Sequence, residues 1–570
     1  MKIYEEYTKV IAKYGKVKKA YFTTFNLSPI FFEYYLLPPL VGEDIPDNDY
    51  ILEDVNSSFE KSKLELKVFY DANMYNLNEN KRTVVNFHPI LFEKGLFHPK
   101  VIYLEFEEEC VLFVGSGNIT VSGWGRNIEA FKIVNFKKKS VLFQQVYNFF
   151  IDVELLAGIR KNNTKKKIVY RNEKLDFIYS FNQEKIFIEA LNLDKNLYVY
   201  SPYFSDLEDI LNYEPFKNLE SISVIPDLIN GNKMRVSKIY EEKRVKYLYS
   251  AKAENIKMNH SKVWLSDSKL AIGSYNFTKE AIEGINFEAA LIEDISLKDI
   301  ENLPSKSLDD LTSMDDIELG EESLKIINKY KALFELKANW KERTLSLKEI
   351  FLMQKFNKLK LILPSNLQLT LKESILELTV EEKEQFFRAL VNNKIFKVLN
   401  GNNVIFEGVI LEEKTKDYRE IVKVETLDDV FSSFIDSRDP LNAKYMKSKS
   451  INYDMNIDET NNLIKSSQNF LNYFNLFMGI KNMKIKLETM SSQKNIRQFC
   501  FNASNSISAI KYVIDQNRED TLFIYIFIDE LNELIQLANK KLKETSIKLI
   551  ENVNIKLLPG DKKFIEEMKK

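Results

Sequence analysis

The sequence predicts an α/β protein whose first 300 residues are a duplicated unit, followed by an accessory region of mixed α/β or α+β character. Two of the chain's three histidines open near-identical patterns. One reads His98-Pro99-Lys100, an apolar run, Gly115-Ser116-Gly117-Asn118, then Asn127-Ile128-Glu129. The other reads His260-Ser261-Lys262, an apolar run, Gly273-Ser274-Tyr275-Asn276, then Asn286-Phe287-Glu288. The same order of strand, turn, helix and strand precedes each histidine, and an internal duplication is the economical explanation. The repetition ends near residue 300, where Pro304, Ser305, Ser307, Asp309, Asp310, Asp315 and Asp316 mark an acidic, polar linker.

In the first copy the pattern predicts a helix over 3–13, a strand over 20–25, a turn at Ser28-Pro29, a helix over 31–37 and a strand over 64–70 ending at Asp71. The second repeats it with a strand over 197–200, a turn at Ser201-Pro202, a helix over 207–211 and a strand over 221–225 ending at Pro226-Asp227. Each histidine then opens a hairpin, 101–104 with 111–114 and 263–265 with 270–272. Side chains alternate along a strand, so His98 and Lys100 share a face, as do Ser116 and Asn118, His260 and Lys262, and Ser274 and Asn276. Domain boundaries follow: 1–150 and 151–300 for the two halves, 301–322 for the linker, 323–440 for a mixed accessory domain and 441–570 for a C-terminal accessory domain. Within these, helices are expected over 322–337, 380–392, 459–478 and 507–515, and after 531. Strands are expected over 358–363, 367–371, 395–398, 404–411 and 521–528.

Imidazole, ammonium, hydroxyl and amide on one surface suit a phosphoryl group, whose oxygens take charge-assisted hydrogen bonds. Two such sets enclose one phosphate on the seam between the halves. A neutral histidine attacks phosphorus to give a covalent phosphohistidine, and a protonated one gives its proton to the leaving oxygen. Glu129 and Glu288 are the expected orienting carboxylates, and the lysines and asparagines the stabilisers of transition-state charge. His88 lacks a lysine two residues on and is read as structural. Trp124 is read as a core residue, with base stacking as the alternative.

Paired HxK and GSxN elements resemble the phospholipase D superfamily. The second copy carries the family aspartate as Asp267, where the first has Glu105. The GSGN-I-T run and nearby Trp124 resemble the tyrosyl-DNA phosphodiesterase branch. The resemblance implies two phospholipase D-like α/β/α sandwich halves, His98 as nucleophile and His260 as general acid.

Composition bounds the rest. The chain has 570 residues and a formal net charge of −2, so the total does not demand a polyanionic partner and any basic surface is local. Cys110 and Cys500 stand alone, which argues against a CxxC zinc site and for a reducing compartment. The first residues carry no apolar leader, and no apolar run approaches the ~18 residues of a membrane span. A cytoplasmic protein without membrane insertion is expected. Clusters at Lys137, Lys138 and Lys139 and at Lys165, Lys166 and Lys167 are candidates for tracking a nucleic-acid backbone. The leading expectation is a metal-independent, cofactor-free nuclease acting on DNA ahead of RNA, in restriction or antiphage defence. The alternatives are a phospholipid hydrolase or phosphatidyltransferase and a non-catalytic nucleic-acid-binding subunit. The C-terminal region is a candidate for dimerisation or partner binding.

Overall fold

A computed structural model describes residues 2–415, short stretches excepted, the longest being 250–257 and 315–329, together with residues 484, 487, 488 and 521–542. The protein is α/β, and its first half is a six-stranded mixed sheet. Strands β1 (Lys19–Thr24), β2 (Glu65–Asp71) and β3 (Phe87–Ile90) run parallel, and β4 (Val101–Glu105), β5 (Glu109–Gly115) and β6 (Phe131–Lys137) add antiparallel in the order β3-β2-β1-β4-β5-β6. The second half uses β7 (Leu175–Tyr179), β8 (Asn196–Ser201), β9 (Ser221–Pro226), β10 (Lys233–Met234), β11 (Val245–Tyr247), β12 (Val263–Ser266), β13 (Lys269–Gly273) and β14 (Ala289–Asp294). Its seven-stranded sheet, β11-β9-β8-β12-β13-β14-β7, reproduces the first order and extends it by β7. Both predicted hairpins form, with Val101 opposite Val114 and Val263 opposite Ile272.

The two halves share a core. Helix Val141–Leu156 is apolar on most sides and caps its start with Ser140. It buries Phe149 and Phe150 in a cluster containing Phe69, Phe97 and Leu112 of the first half with Phe177, Phe287 and Leu291 of the second. Phe149 stacks on Phe287 with ring centroids 5.7 Å apart. Helices hydrophobic around most of their circumference are found where both flanks are protein.

The acidic stretch after residue 300 is partly tied down, because β15 (Thr312–Ser313) pairs in parallel with β10. Next come β16 (Ala332–Asn339), β17 (Thr344–Leu352), β18 (Leu359–Ile362), β19 (Gln368–Thr370), helix Val380–Asn392, β20 (Ile395–Asn400), β21 (Asn403–Val409) and β22 (Leu411–Glu413). They form the sheets β17-β16-β22 and β19-β18-β20-β21 around a common core. The helix expected over 322–337 is corrected where it is described. Ala332, Phe334, Leu336 and Ala338 are buried while Glu335, Lys337 and Asn339 are not, a period of two that makes a strand against β17. Helix Val380–Asn392 forms as expected, held by a capping box between Thr379 and Glu382.

A second compact unit contains residues 420–570. The strand expected over 521–528 is instead the start of a 22-residue helix, Thr521–Leu542. Its buried positions, Ile528, Leu534, Ile535, Ala538 and Leu542, follow helical spacing, so the apolar opening run belongs to one continuous helix. Lys484 bridges Glu530 and Glu533 at 2.8 and 2.7 Å. The helices expected over 459–478 and 507–515 lie outside the described residues. No helix of the described residues is long and apolar enough to cross a membrane.

Candidate active site

The site forms where the two hairpins meet. His98 lies just before β4, third from the β6 edge of its sheet, and His260 just before β12, the central strand of its own; both are buried. The segments before the histidines are stitched across the seam by backbone hydrogen bonds. His98 N donates to Phe287 O and Phe287 N to Leu96 O, at 2.9 and 2.8 Å, while Ile128 N donates to Met258 O and His260 N to Ile128 O, both at 2.9 Å. The two halves therefore dock by the same device used twice.

This docking crosses the carboxylates over. His98 Nδ1 lies 2.8 Å from Glu288 Oε2, and His260 Nδ1 lies 3.0 Å from Glu129 Oε1. Each imidazole is oriented by the glutamate of the other half. Ser116 Oγ donates to Glu129 Oε2 at 2.5 Å and accepts from Ala130 N. Ser274 Oγ donates in the same way to Glu288 and accepts from Ala289 N. The serines, expected as donors to phosphate, thus aim the carboxylates. The glycine before each serine is required by space. A Cβ on Gly115 would stand 2.4 Å from Ala130 O, and one on Gly273 2.2 Å from Ala289 O.

The lysines sit beneath the imidazoles. Lys100 Nζ donates to His98 O at 2.7 Å. Lys262 Nζ donates to His260 O at 2.9 Å and lies 3.1 Å from His260 Nε2. The asparagines differ: Asn118 Oδ1 accepts from Asn26 N at 3.3 Å, whereas Asn276 is buried and its Oδ1 has no partner among the described residues.

Electrostatics separate the half-sites. Burial drives the His98 imidazolium well below the usual histidine range, assisted by Lys100 and Lys262. Burial and Lys262 lower His260 to about 4, opposed by Glu129. Burial pushes Glu288 up to about 7. Glu129 is desolvated too, yet facing His260 and Lys262 hold it below the ordinary carboxylate value. Burial brings Lys262 down to about 8.

Sequence reasoning missed two supporting pairs. Asp71, the last residue of β2, accepts from Phe97 N at 2.9 Å, and Asp227, just after β9, accepts from Asn259 N at 2.7 Å. Each fixes the residue just before a histidine. Half-buried rings flank the imidazoles, Phe25 edge-on to His98 at 5.0 Å and Tyr203 edge-on to His260 at 6.3 Å. The signal available was positional, since the four residues stand at or just past the ends of β1, β2, β8 and β9.

Other expectations are displaced. Glu105 and Asp267 lie at the far ends of their hairpins from the histidines. Asp267 accepts from Lys195 N and Asn196 N, and Glu105 pairs with Lys138. Lys137 ends β6 and Lys138 and Lys139 follow it, at the end opposite Glu129, about 20 Å along the strand, so they do not line the seam. Lys165 pairs with Asp152, and Lys166 lies over the rings of Phe143 and Tyr147, which holds both against helix Val141–Leu156. Lys167 is exposed. His88 is half-buried and tilted on Phe69, and Trp124 is buried among Tyr7, Phe31 and Phe131.

No protein-family model and no curated protein sequence matches the chain. Solved structures similar to it include polyphosphate kinase from Porphyromonas gingivalis, at 10% identity and a TM-score of 0.33, covering 51% of this chain and 46% of that one. Yeast tyrosyl-DNA phosphodiesterase is similar at 12% identity and a TM-score of 0.34, covering 50% of this chain and 85% of that one. The chain thus spans about half the length of the kinase it matches.

Proposed function

We propose that the chain is a metal-independent phosphodiesterase of the phospholipase D type, a nuclease cleaving DNA or RNA through a covalent phosphohistidine. The observation that carries this is the crossed pairing of two buried His-Lys sets with two glutamates around one seam. A carboxylate accepting from Nδ1–H leaves Nε2 with its lone pair outward, the tautomer a nucleophile needs.

His98 is assigned the attack. Its Nε2 forms the bond to phosphorus as the P–O bond to the leaving group breaks, and the leaving oxygen takes a proton from His260 Nε2. Lys262, 3.1 Å from that nitrogen, is placed to supply the proton. In the second step water attacks phosphorus and gives a proton to His260, which returns it to Lys262, and the P–N bond breaks to restore His98. Lys100, and Lys262 until its proton moves, provide the positive charge for the pentacoordinate state. Phe25 and Tyr203 favour nucleic acid over lipid, because half-exposed rings beside each imidazole give bases or aromatic leaving groups a face to stack on. A role in restriction or antiphage defence extends this proposal.

The test is incubation of the protein and its His98→Ala variant with plasmid, single-stranded DNA and RNA in excess chelator. Cleavage by the unmodified protein alone is expected. Equal cleavage by His98→Ala removes the nucleophile, and loss of all activity in chelator removes the metal-independent scheme. In His260→Ala, which lacks the acid, a covalent adduct on His98 accumulates with substrates whose leaving groups need no proton.

A further inference from the structure

The module built from β16 to β22 grips the first half of the catalytic unit at several points. Ala72 and Leu91 of the first half lie inside the module's core. Glu412, fully buried, takes Lys81 of the first half at 3.4 Å, Lys394 of the module at 2.5 Å and Trp340 Nε1 at 2.9 Å. Asn86 makes two hydrogen bonds to the backbone of Glu412, at 3.0 and 3.1 Å. A further contact lies outside the first half, where Lys348 Nζ donates to Gly158 O at 2.6 Å just past the helix that joins the halves.

One of these contacts leads into the site. Tyr330 N, two residues before β16, donates to Asn73 Oδ1 at 3.0 Å. Asn73 in turn donates to Asp71 Oδ1 through its backbone N at 2.9 Å and its side-chain amide at 3.2 Å. The other oxygen of Asp71 accepts from Phe97 N at 2.9 Å, and the next residue is His98. The path is continuous: module backbone, amide side chain, buried carboxylate, peptide N–H, imidazole-bearing residue. In the second half the equivalent carboxylate is served locally. Asp227 pairs with Arg235 at 2.9 Å, and Arg235 lies over Tyr203, 5.7 Å from its centroid, beside His260.

We propose that the β16–β22 module is a one-sided positioning device for His98, acting through Tyr330 N–H, Asn73 and Asp71, with Asp71 and Asn73 as positioning residues. The inference rests on the assignment of His98 as the attacking group. Three donors close on the two oxygens of Asp71, and removing a donor from a buried carboxylate frees it to rotate. A displaced Phe97–His98 peptide moves Nε2 off the line of attack, and misplacement of that kind costs on the order of tenfold to a hundredfold in turnover. A movement of the module therefore reaches His98 before it reaches His260.

The test uses the full chain labelled on its histidine rings, whose three signals are assigned by His→Ala variants. Asn73→Ala, which keeps the backbone intact, and Tyr330→Pro, which deletes the donated N–H, are each expected to shift the His98 ring signal and leave that of His260 in place. Tyr330→Phe keeps the N–H and is expected to shift neither. In the nuclease assay the first two variants lower kcat on the order of tenfold or more with KM unchanged. His98 and His260 signals moving together, or neither moving, overturns the proposal. Should the unmodified protein cleave no phosphodiester, the ring signals still decide the relay, and only the phosphodiesterase reading fails.

Discussion

The two halves of the duplicated unit carry the same histidine, lysine, serine and glutamate side chains on the same frame and tether them differently. In the first, Asp71 is buried, pushed up to about 6 by desolvation and held by neutral donors. In the second, Asp227 is neutralised by the guanidinium of Arg235. The glutamate serving His98 is raised to about 7, while the one serving His260 is held low. Only His260 has a lysine ammonium 3.1 Å from Nε2. Duplication supplies two equal imidazoles, and their surroundings differ as the proposed roles of attacking base and proton carrier require.

The largest expected effect breaks the orienting carboxylates one at a time. In Glu288→Gln the amide donates to His98 Nδ1 and forces the proton onto Nε2, so kcat falls on the order of 10⁴-fold, the scale of a histidine fixed in the wrong tautomer. In Glu129→Gln the loss is smaller and shrinks further with a good leaving group, because His260 then has less to protonate. Equal losses for both leaving groups would erase the distinction between the halves. For the unmodified protein, kcat/KM falls below about pH 7 as Glu288 protonates, and Glu288→Gln lacks that limb.

Next in size, Lys262→Ala costs on the order of 10²–10³ in kcat, as for one lost oxyanion donor, and it removes the basic limb near pH 8. Retention of that limb would show that another group feeds His260. Replacing Tyr203 by Ala weakens single-stranded binding by about 1–3 kcal/mol, the value of one stacked base, and Phe25→Ala does the same from the other side. Titration of a fluorescent oligonucleotide measures both.

The smallest effect concerns stability. Glu288 has a folded value near 7, above the unfolded value of 4.5, so its contribution is fully present below about pH 4.5 and lost as pH rises through 7. Glu288→Gln is expected to raise Tm by about 2–4 °C at pH 8 and to flatten its dependence above pH 5. A fall in Tm would show that the crossed contact stabilises the docked halves.

Much of this site was legible because its residues repeat. Two HxK and two GSxN elements mark the hairpins, and alternation along strands puts the right side chains on one face. The partner of each histidine was not legible, because crossing of the glutamates depends on how the sheets dock through Phe97, Phe287, Ile128 and Asn259. The role of the serines was hidden for a related reason. A hydroxyl beside a phosphate site reads as a phosphate donor until its neighbouring carboxylate is placed. Asp71, Asp227, Phe25 and Tyr203 carry no motif and act by position alone. Outside the duplication, local pattern misled at both ends. Ala332–Asn339 looked like the end of a helix and alternates as a strand, while the apolar opening of Thr521–Leu542 looked like a strand and winds as a helix.

The crossed glutamates also make the assembly of the site depend on both halves being present. A ribosome that has extruded only the first half presents His98 and Lys100 with no carboxylate to set the tautomer, since Glu288 is still 190 residues away. On the proposed reading, a nascent or proteolysed fragment of either half is expected to cleave no nucleic acid. Competence arrives in one step, when the second copy of the motif folds against the first.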